Sequence, residues 1–254
     1  LKPGWRKFYT QLIPWVIPLL LIGLWQLFSW MGMIPSRILP SPTDVLMSGI
    51  GLLKSGELAG HISISLGRAM AGFLIGGSIG FILGLFNGMF KVSELLFDTS
   101  IQMLRTIPHL ALIPLVILWF GIDETSKVFL VALGVLFPVY INTYHGIKSV
   151  DKGLIEMGRA YGLRGSSLFF SVVFPGALSS ILVGVRFSLG VMWLTLIVAE
   201  TISARSGIGY MAMNAREFFQ MDVIVLSIVL YALFGKLSDV IARAMENKWL
   251  KWNA

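Results

Sequence analysis

The sequence predicts an all-α, polytopic membrane protein with about six transmembrane helices, and three observations carry that prediction. Hydrophobic residues make up 56% of the 254 residues and charged residues only 13%. A soluble domain carries about 25% charged residues, and a soluble chain of this length could not hide so much apolar surface. The apolar residues gather into runs that approach the ~20 residues of a bilayer crossing. The connections between these runs carry basic residues mainly on alternate sides. The whole chain, 1–254, reads as one transmembrane domain.

Taken in order, the first ten residues are basic (Lys2, Arg6, Lys7), with Trp5, Phe8 and Tyr9 as interfacial anchors. The chain opens on Leu1 rather than Met, so a short preceding stretch is expected. Span 1 covers 12–31, with Pro14 and Pro18 expected in its first turns, where proline is tolerated. No small-residue cleavage site follows it, so it reads as an uncleaved span rather than a signal peptide. In the polar segment that follows, Pro40 and Pro42 give an extended start, and Ser41 or Thr43 is a candidate cap for a short amphipathic helix. This segment is expected on the outside.

Span 2 covers 65–90. Gly72, Gly76, Gly80, Gly84 and Gly88 recur every four residues along it, a groove about 24 Å long at 1.5 Å per residue. Glycine costs a helix about 1 kcal/mol relative to alanine, so another backbone is expected to come close, as in small-xxx-small packing. That backbone belongs to the same bundle, to a second subunit, or to a helix that slides.

Residues 91–105 are amphipathic and expected at the inner surface. Span 3, 106–120, is short for a crossing and is expected to begin inside that helix, with Pro108 and Pro114 as kink sites. A tight outer turn, 121–127, has Thr125 or Ser126 as candidate cap. Span 4 covers 128–147 and is interrupted by Pro138. Span 5 covers 177–199. A short outer helix with Tyr210, Met213, Phe218 and Phe219 follows Gly207 and Gly209. Span 6 covers 223–243, and the tail is basic and aromatic.

Between spans 4 and 5 lies a cationic hairpin, 151–180. Leu154, Met157 and Tyr161 form one apolar face of a short helix. Gly162 and Gly165 break it, Ser166 is a plausible cap for the next helix, and Pro175 marks where that helix ends or bends. Such a hairpin is either an ordinary amphipathic loop or a surface that presents polar groups to a partner.

Six spans place both termini on one side. Of the 20 Lys and Arg, five (Arg37, Lys54, Lys127, Arg205, Arg216) fall in the opposite loops and two (Arg68, Arg186) within spans; the remaining 13 lie with the N-terminus, the segment 91–105, the hairpin, and the tail with its entry. That asymmetry makes the termini and the hairpin cytoplasmic. It also accounts for the net charge of +7 without a nucleic-acid partner.

Little in the chain suggests catalysis. There is no cysteine, hence no disulfide and no thiolate metal site. No phosphate-binding G-x-x-x-x-G-K-[ST] loop and no H-E-x-x-H appear. His61, His109 and His145 lack ligand spacing, and no nucleophile–base pair or cofactor site is visible. Charged residues inside spans stand out instead. Arg186 lies about 14 Å from the inner end of span 5, where a cation is costly. It either lines a translocation path or serves a structural ion pair or a kinked helix. Arg68 is expected to snorkel to the outer surface. Glu200 pairs with an arginine or gates the exit. Arg105 and His109, i and i+4 at the inner end of span 3, are expected to line the path with Asn142 and Thr195.

The hairpin resembles the EAA loop of bacterial ABC importer permeases. That pattern reads E-A-A, three residues, G, nine residues, I-x-L-P. Here Glu156 opens it, Gly162 holds the glycine and Pro175 closes it, while Met157 and Gly158 replace the alanines and Val172 and Phe174 replace Ile and Leu. The likeness extends over nearly the whole chain: ILPSPTDV, RAMAGFLIGGSIG, PHLALIPLVILWFGIDETSK and WLTLIVAETISARSGIGYMAMNAREF resemble, in this order, permeases of the nitrate, sulfonate and taurine importer group. SIQMLRTIPHLALIPLVILWFGID and GVRFSLGVMWLTLIVAETI resemble the aliphatic sulfonate permeases in particular.

This resemblance implies a homodimer of six-span subunits among the lipids of a bacterial inner membrane. Two cytoplasmic ATPase subunits would sit below it, and a periplasmic or surface-anchored binding protein would deliver the substrate. The coupling loop, about 148–176, would dock on the ATPase through Glu156, Gly158, Arg159, Tyr161, Gly162 and Pro175. Taurine and nitrate are the alternative substrates. An ATP-independent secondary transporter is the rival class, and it would need buried carboxylate or histidine relays or inverted repeats of its own.

Overall fold

The structure is a computed structural model that describes residues 3–250, with side chains for 13–202 and 204–250. Eleven α-helices, one 3-10 turn and one π-turn follow one another, with no strand among the described residues. The expected interfacial anchors at residues 5, 8 and 9, and the end of the basic tail, lie outside the described side chains. The chain divides into two compact units, Leu1–His61 with Met211–Leu230 and Ile62–Tyr210 with Tyr231–Ala254.

In the first unit, α1 (Pro3–Trp30) is helical well before span 1 was expected to begin. Pro14 and Pro18 are therefore interior residues rather than first-turn residues, each leaving one backbone carbonyl of the preceding turn without its usual donor. Ile13, Ile17, Leu19 and Leu21 are exposed along it, as lipid contact requires. Ser41 caps α2 (Pro42–Lys54) in a capping box: Asp44 N–H donates to Ser41 Oγ at 3.2 Å, and Ser41 N–H donates to Asp44 Oδ2 at 3.2 Å. Gln26 joins the two helices by accepting from the Thr43 amide at 3.2 Å. Ser48 of α2 donates to Asp222, in the first turn of α11 (Met221–Trp249).

The second unit is built on the glycine groove of α3 (Glu57–Met89), and what fills that groove is α6 (Glu124–Lys148). A Cβ on Gly76 or Gly80 would collide with the carbonyl oxygens of Ala132 and Leu136. On Gly84 it would come 2.7 Å from Tyr140 O, on Gly72 2.5 Å from Val131 Cγ1, and on Gly88 2.9 Å from Ile147 Cβ. Both series rise together, so α3 and α6 run parallel. Of the three candidates for the approaching backbone, the one within the bundle is the partner.

This parallel pairing decides the topology of the segment between them. α4 (Lys91–Thr106) is followed by a 3-10 turn (His109–Leu112) and α5 (Ile113–Phe120), with an 81° bend at the break. Pro108 makes the break by holding Ile107 extended at ψ 122°; Pro114 sits in the first turn of α5 and bends nothing. Five helices are long and apolar enough to cross a membrane, and this bent pair is the candidate sixth. Parallel α3 and α6 require the chain to travel back between them. The 25 residues of α6 rise about 37 Å at 1.5 Å per residue, so the bent pair must cover a full crossing. Span 3 thus does begin in the amphipathic helix, as a broken span.

Gly121 ends α5 with φ 73°, and Asp123, not Thr125 or Ser126, is the N-cap residue of α6. Ser126 already lies within the first turn, where its hydroxyl donates to Asp123 O at 2.7 Å. Pro138 stands inside α6 without ending it. Two further glycines of α6 bring in α9 (Phe174–Ser203), which runs antiparallel. Gly146 faces Ala177 and Ser180, and Gly134 faces Val191 and Thr195. α11 is antiparallel to α9 in turn: Arg186 meets Asp239, Trp193 stacks on Phe234 at 5.1 Å, and Glu200 accepts from Tyr231.

Candidate functional site

The hairpin between α6 and α9 folds because Asp151 caps α7 (Lys152–Ala160), accepting from Gly153 N–H at 2.7 Å. Gly162, at φ +86°, turns the chain out of the helix, a conformation that glycine reaches without penalty. α8 (Gly165–Leu168) follows, with Arg164 rather than Ser166 at its N-cap and the Arg164 amide donating to Ser167 Oγ at 3.2 Å. Pro175 does not end this second helix. A π-turn, Phe169–Val173, carries it straight into α9, where Pro175 occupies the first turn. The wider turn absorbs the missing proline donor.

The face of α7 that packs on the rest of the chain is not the Leu154–Met157–Tyr161 stripe. Ile155 packs on the cluster of Ile147, Val150, Ala177 and Ile181, and buried Gly158 lies against Leu168 and Val172. Leu154 and Met157 are about half exposed, and Tyr161, at the helix end, is 82% exposed. Glu156 and Arg159 are exposed with them. The apolar stripe of Leu154, Met157 and Tyr161 is an uncovered surface flanked by charge. Arg159 also borders a cavity of about 340 Å³ between the hairpin and Gly88 at the end of α3.

The expected path residues fall into separate groups. Arg105 and His109 do not share a helix face, because the Pro108 break separates them: Arg105 ends α4 exposed, while His109 opens the 3-10 turn half-buried. His109 Nε2 instead meets buried Thr195 Oγ1 at 3.1 Å. Asn142 lies elsewhere on the α6–α9 contact, donating to Pro138 O at 2.9 Å and accepting through its carbonyl from Ser180 Oγ at 2.8 Å.

Arg186 forms an ion pair across α9 and α11. Its Nε donates to Asp239 Oδ1 at 2.7 Å, and its Nη1 lies 3.6 Å from Glu246 Oε2. Arg243 and Lys236 hold the other oxygen of Asp239, at 3.0 and 3.5 Å. The Arg186 side chain is 36% exposed and opens on a cavity of about 460 Å³. Asp239 was legible in the sequence by the same rule that singles out Arg186, since it is a charge inside an apolar span.

Glu200 takes the first of its two expected roles and pairs with an arginine. Arg68, expected to snorkel, is buried: its Nη1 donates to Glu200 Oε1 at 2.7 Å and its Nη2 to Glu124 Oε1 at 2.6 Å. Fully desolvating a guanidinium is tolerable here because two carboxylates and the Ser206 carbonyl receive it. Ser65, Tyr231 and the Gly209 amide donate to Glu200 as well. Gly207 leaves the room for this, since a Cβ there would strike the Glu200 carboxylate. Lys127, also buried, donates to Asp123 O at 3.2 Å and to Glu124 at 3.4 Å. None of these partners was legible from spacing alone.

Neither a catalytic nor a metal arrangement emerges from these groups. Gly76–Gly80 matches the nucleophile-elbow string G-x-S-x-G. Ser78, however, lies mid-helix in α3 among the packing glycines, not on a strand-to-helix turn. No set of three His, Asp or Glu among the described residues is placed to hold a metal ion.

Comparison with known proteins agrees with this architecture. Residues 76–251 match the family described as the binding-protein-dependent transport system inner membrane component. The chain is 62% identical to the putative aliphatic sulfonates transport permease protein SsuC of Escherichia coli (strain K12), covering 98% of this chain and 94% of that one. It is 45% identical to the protein of the same name from Bacillus subtilis (strain 168), over 99% and 91%. In fold it is similar to a crystal structure of an amino acid ABC transporter, with TM-score 0.59 and 21% identity over 78% of this chain and 96% of that chain. With five helices long and apolar enough to cross a membrane, a bent pair as the candidate sixth, and a family match over most of its length, the chain is a member of the binding-protein-dependent transport system inner membrane components.

Proposed function

We propose that the chain is the permease subunit of an ATP-driven importer of aliphatic sulfonates, and that the hairpin 148–176 couples it to a separate ATPase. The observation that carries the coupling role is the uncovered apolar stripe of Leu154, Met157 and Tyr161 beside exposed Glu156 and Arg159. An exposed apolar stripe rimmed by charge supports a contact surface for another protein. Gly158 and Gly162 shape the hairpin, and Pro175 sets where it joins α9. The substrate class rests on the 62% identity to a relative named for aliphatic sulfonates.

Two copies of this single permease domain would form the path, in contact with lipid along the exposed apolar sides of α1 and α3. The termini and the hairpin would face the cytoplasm, a reading the distribution of basic residues supports, and the binding protein would deliver substrate to the opposite face. Arg186, Glu200, His109, Thr195, Asn142 and Arg105 remain the candidates to line or support the path.

Proteoliposomes holding this chain, its ATPase and its binding protein test the reading. ATP-dependent uptake of ethanesulfonate that stops when either partner is left out is the expected result. Uptake that runs without the ATPase, or uptake of nitrate or taurine in place of alkanesulfonates, would overturn it.

A further inference from the structure

The cavity between α9 and α11 combines three features. The glycines of the α3 groove are each filled by another element, but Gly190 and Gly235, which border this cavity, have nothing within 4 Å of a built Cβ. Each costs its helix about 1 kcal/mol relative to alanine without an internal contact to offset it. The wall beside them is apolar: Phe187 and Leu194 are exposed at 63% and 69%. At one end stands Arg186, whose Nη2 makes no hydrogen bond to a described residue.

The charges around Arg186 leave room for an anion. Arg186, Lys236 and Arg243 face Asp239 and Glu246, an excess of one positive charge. Asp239 is held by Arg243 and Lys236 through its second oxygen, so it stays paired if Arg186 turns away. A planar guanidinium offers two parallel donors to an oxyanion.

We propose that this cleft is a transit subsite for an amphiphilic anion. The sulfonate head takes Arg186 from Asp239, and the alkyl chain lies over Gly190 and Gly235 against Phe187 and Leu194. The proposal rests on the alkanesulfonate reading above and assigns a place to both ends of that substrate. A short chain fills the head site alone, whereas a long chain needs the floor that the two glycines leave open.

The test uses the complete transporter in proteoliposomes, at saturating loaded binding protein, with ethanesulfonate and octanesulfonate as probes. Arg186→Gln is expected to lower the maximal uptake rate of both at least about tenfold, the scale of a lost charge-assisted bond. Gly235→Val adds side-chain volume to the cleft at a position where a Cβ meets nothing within 4 Å. It is expected to lower octanesulfonate uptake at least about tenfold and ethanesulfonate uptake less than about twofold, with ATPase binding and subunit mass unchanged. Equal effects on both chain lengths, or wild-type rates in both variants, would overturn the subsite. Loss of subunit association in Gly235→Val would also overturn it, by making the cleft a contact between copies. If wild-type transporter carries neither sulfonate, the substrate reading fails first and the subsite fails with it.

Discussion

Arg68 Nη1 lies 2.7 Å from Glu200 Oε1, and both side chains are almost fully buried. The pair ties α3 to α9, and through Gly209 and Tyr231 it also holds the start of α10 (Ile208–Glu217) and the middle of α11. Removing one member of such a pair strands the other in a medium where it cannot be solvated, at about 3–5 kcal/mol. Glu200→Gln is therefore expected to lower the thermal midpoint of the detergent-purified subunit markedly, with loss of monodisperse protein. Arg68→Met with Glu200→Met removes both charges and should be less damaging than either change alone. A single variant that melts with the wild type would deny the pair its structural role.

The α3 groove makes a sharper steric prediction. At Gly76 an added methyl meets the Ala132 carbonyl, a backbone atom that cannot rotate away, while at Gly67 it meets nothing within 4 Å. Gly76→Ala is expected to destabilise the bundle by more than about 1 kcal/mol, against the direction of helix propensity. Gly67→Ala should be neutral or slightly stabilising. Thermal melts of the two variants side by side decide it; equal behaviour would mean that the groove relaxes.

How much of this was legible beforehand follows from which signals are local. The glycine period, the capped helix after Ser41 and the break at Pro108 are written in short stretches, and each is present in the structure. Charge partners are not local. Arg68 reaches Glu124 and Glu200 across 56 and 132 residues, so its burial could not be inferred from its position near the outer end of a span. Asp239 stands out as a charge within a span, but its pairing with Arg186, 53 residues away, is not local either. In α7 the periodicity marks a real apolar face, but not what lies against it. An apolar stripe marks a face that must be covered, and sequence does not say whether its own chain or another protein covers it.

That uncovered stripe predicts a separation of folding from coupling. Glu156 is exposed and no ion pair holds it among the described residues, so Glu156→Lys should leave the subunit's melting temperature within about a degree. Gly162→Asp places a side chain at φ +86°, a strain of about 1–2 kcal/mol, in an exposed turn with open space around it. Both variants are expected to insert and fold while losing at least about tenfold in ATPase affinity and ATP-driven uptake. Normal co-purification of the ATPase with either one would move the contact surface elsewhere on the molecule.

The broken third span makes the last prediction, and the absence of cysteine from the chain supplies the background for it. If α4 and α5 together cross the membrane, the turn at Ile122 and the hairpin at Tyr161 lie on opposite sides, because α6 alone separates them. If instead α4 and α5 dipped in and returned, α3 and α6 would have to be antiparallel. The rising match of Gly72, Gly80 and Gly88 with Val131, Leu136 and Ile147 forbids that. Ile122 and Tyr161 are both exposed, so single cysteines there are open to reagents. In right-side-out cells, Ile122→Cys should react with a membrane-impermeant maleimide and Tyr161→Cys only after the membrane is opened. Labelling of both from the same side would remove the sixth crossing. Labelling of Tyr161→Cys alone from outside would invert the subunit and take the hairpin away from any cytoplasmic motor.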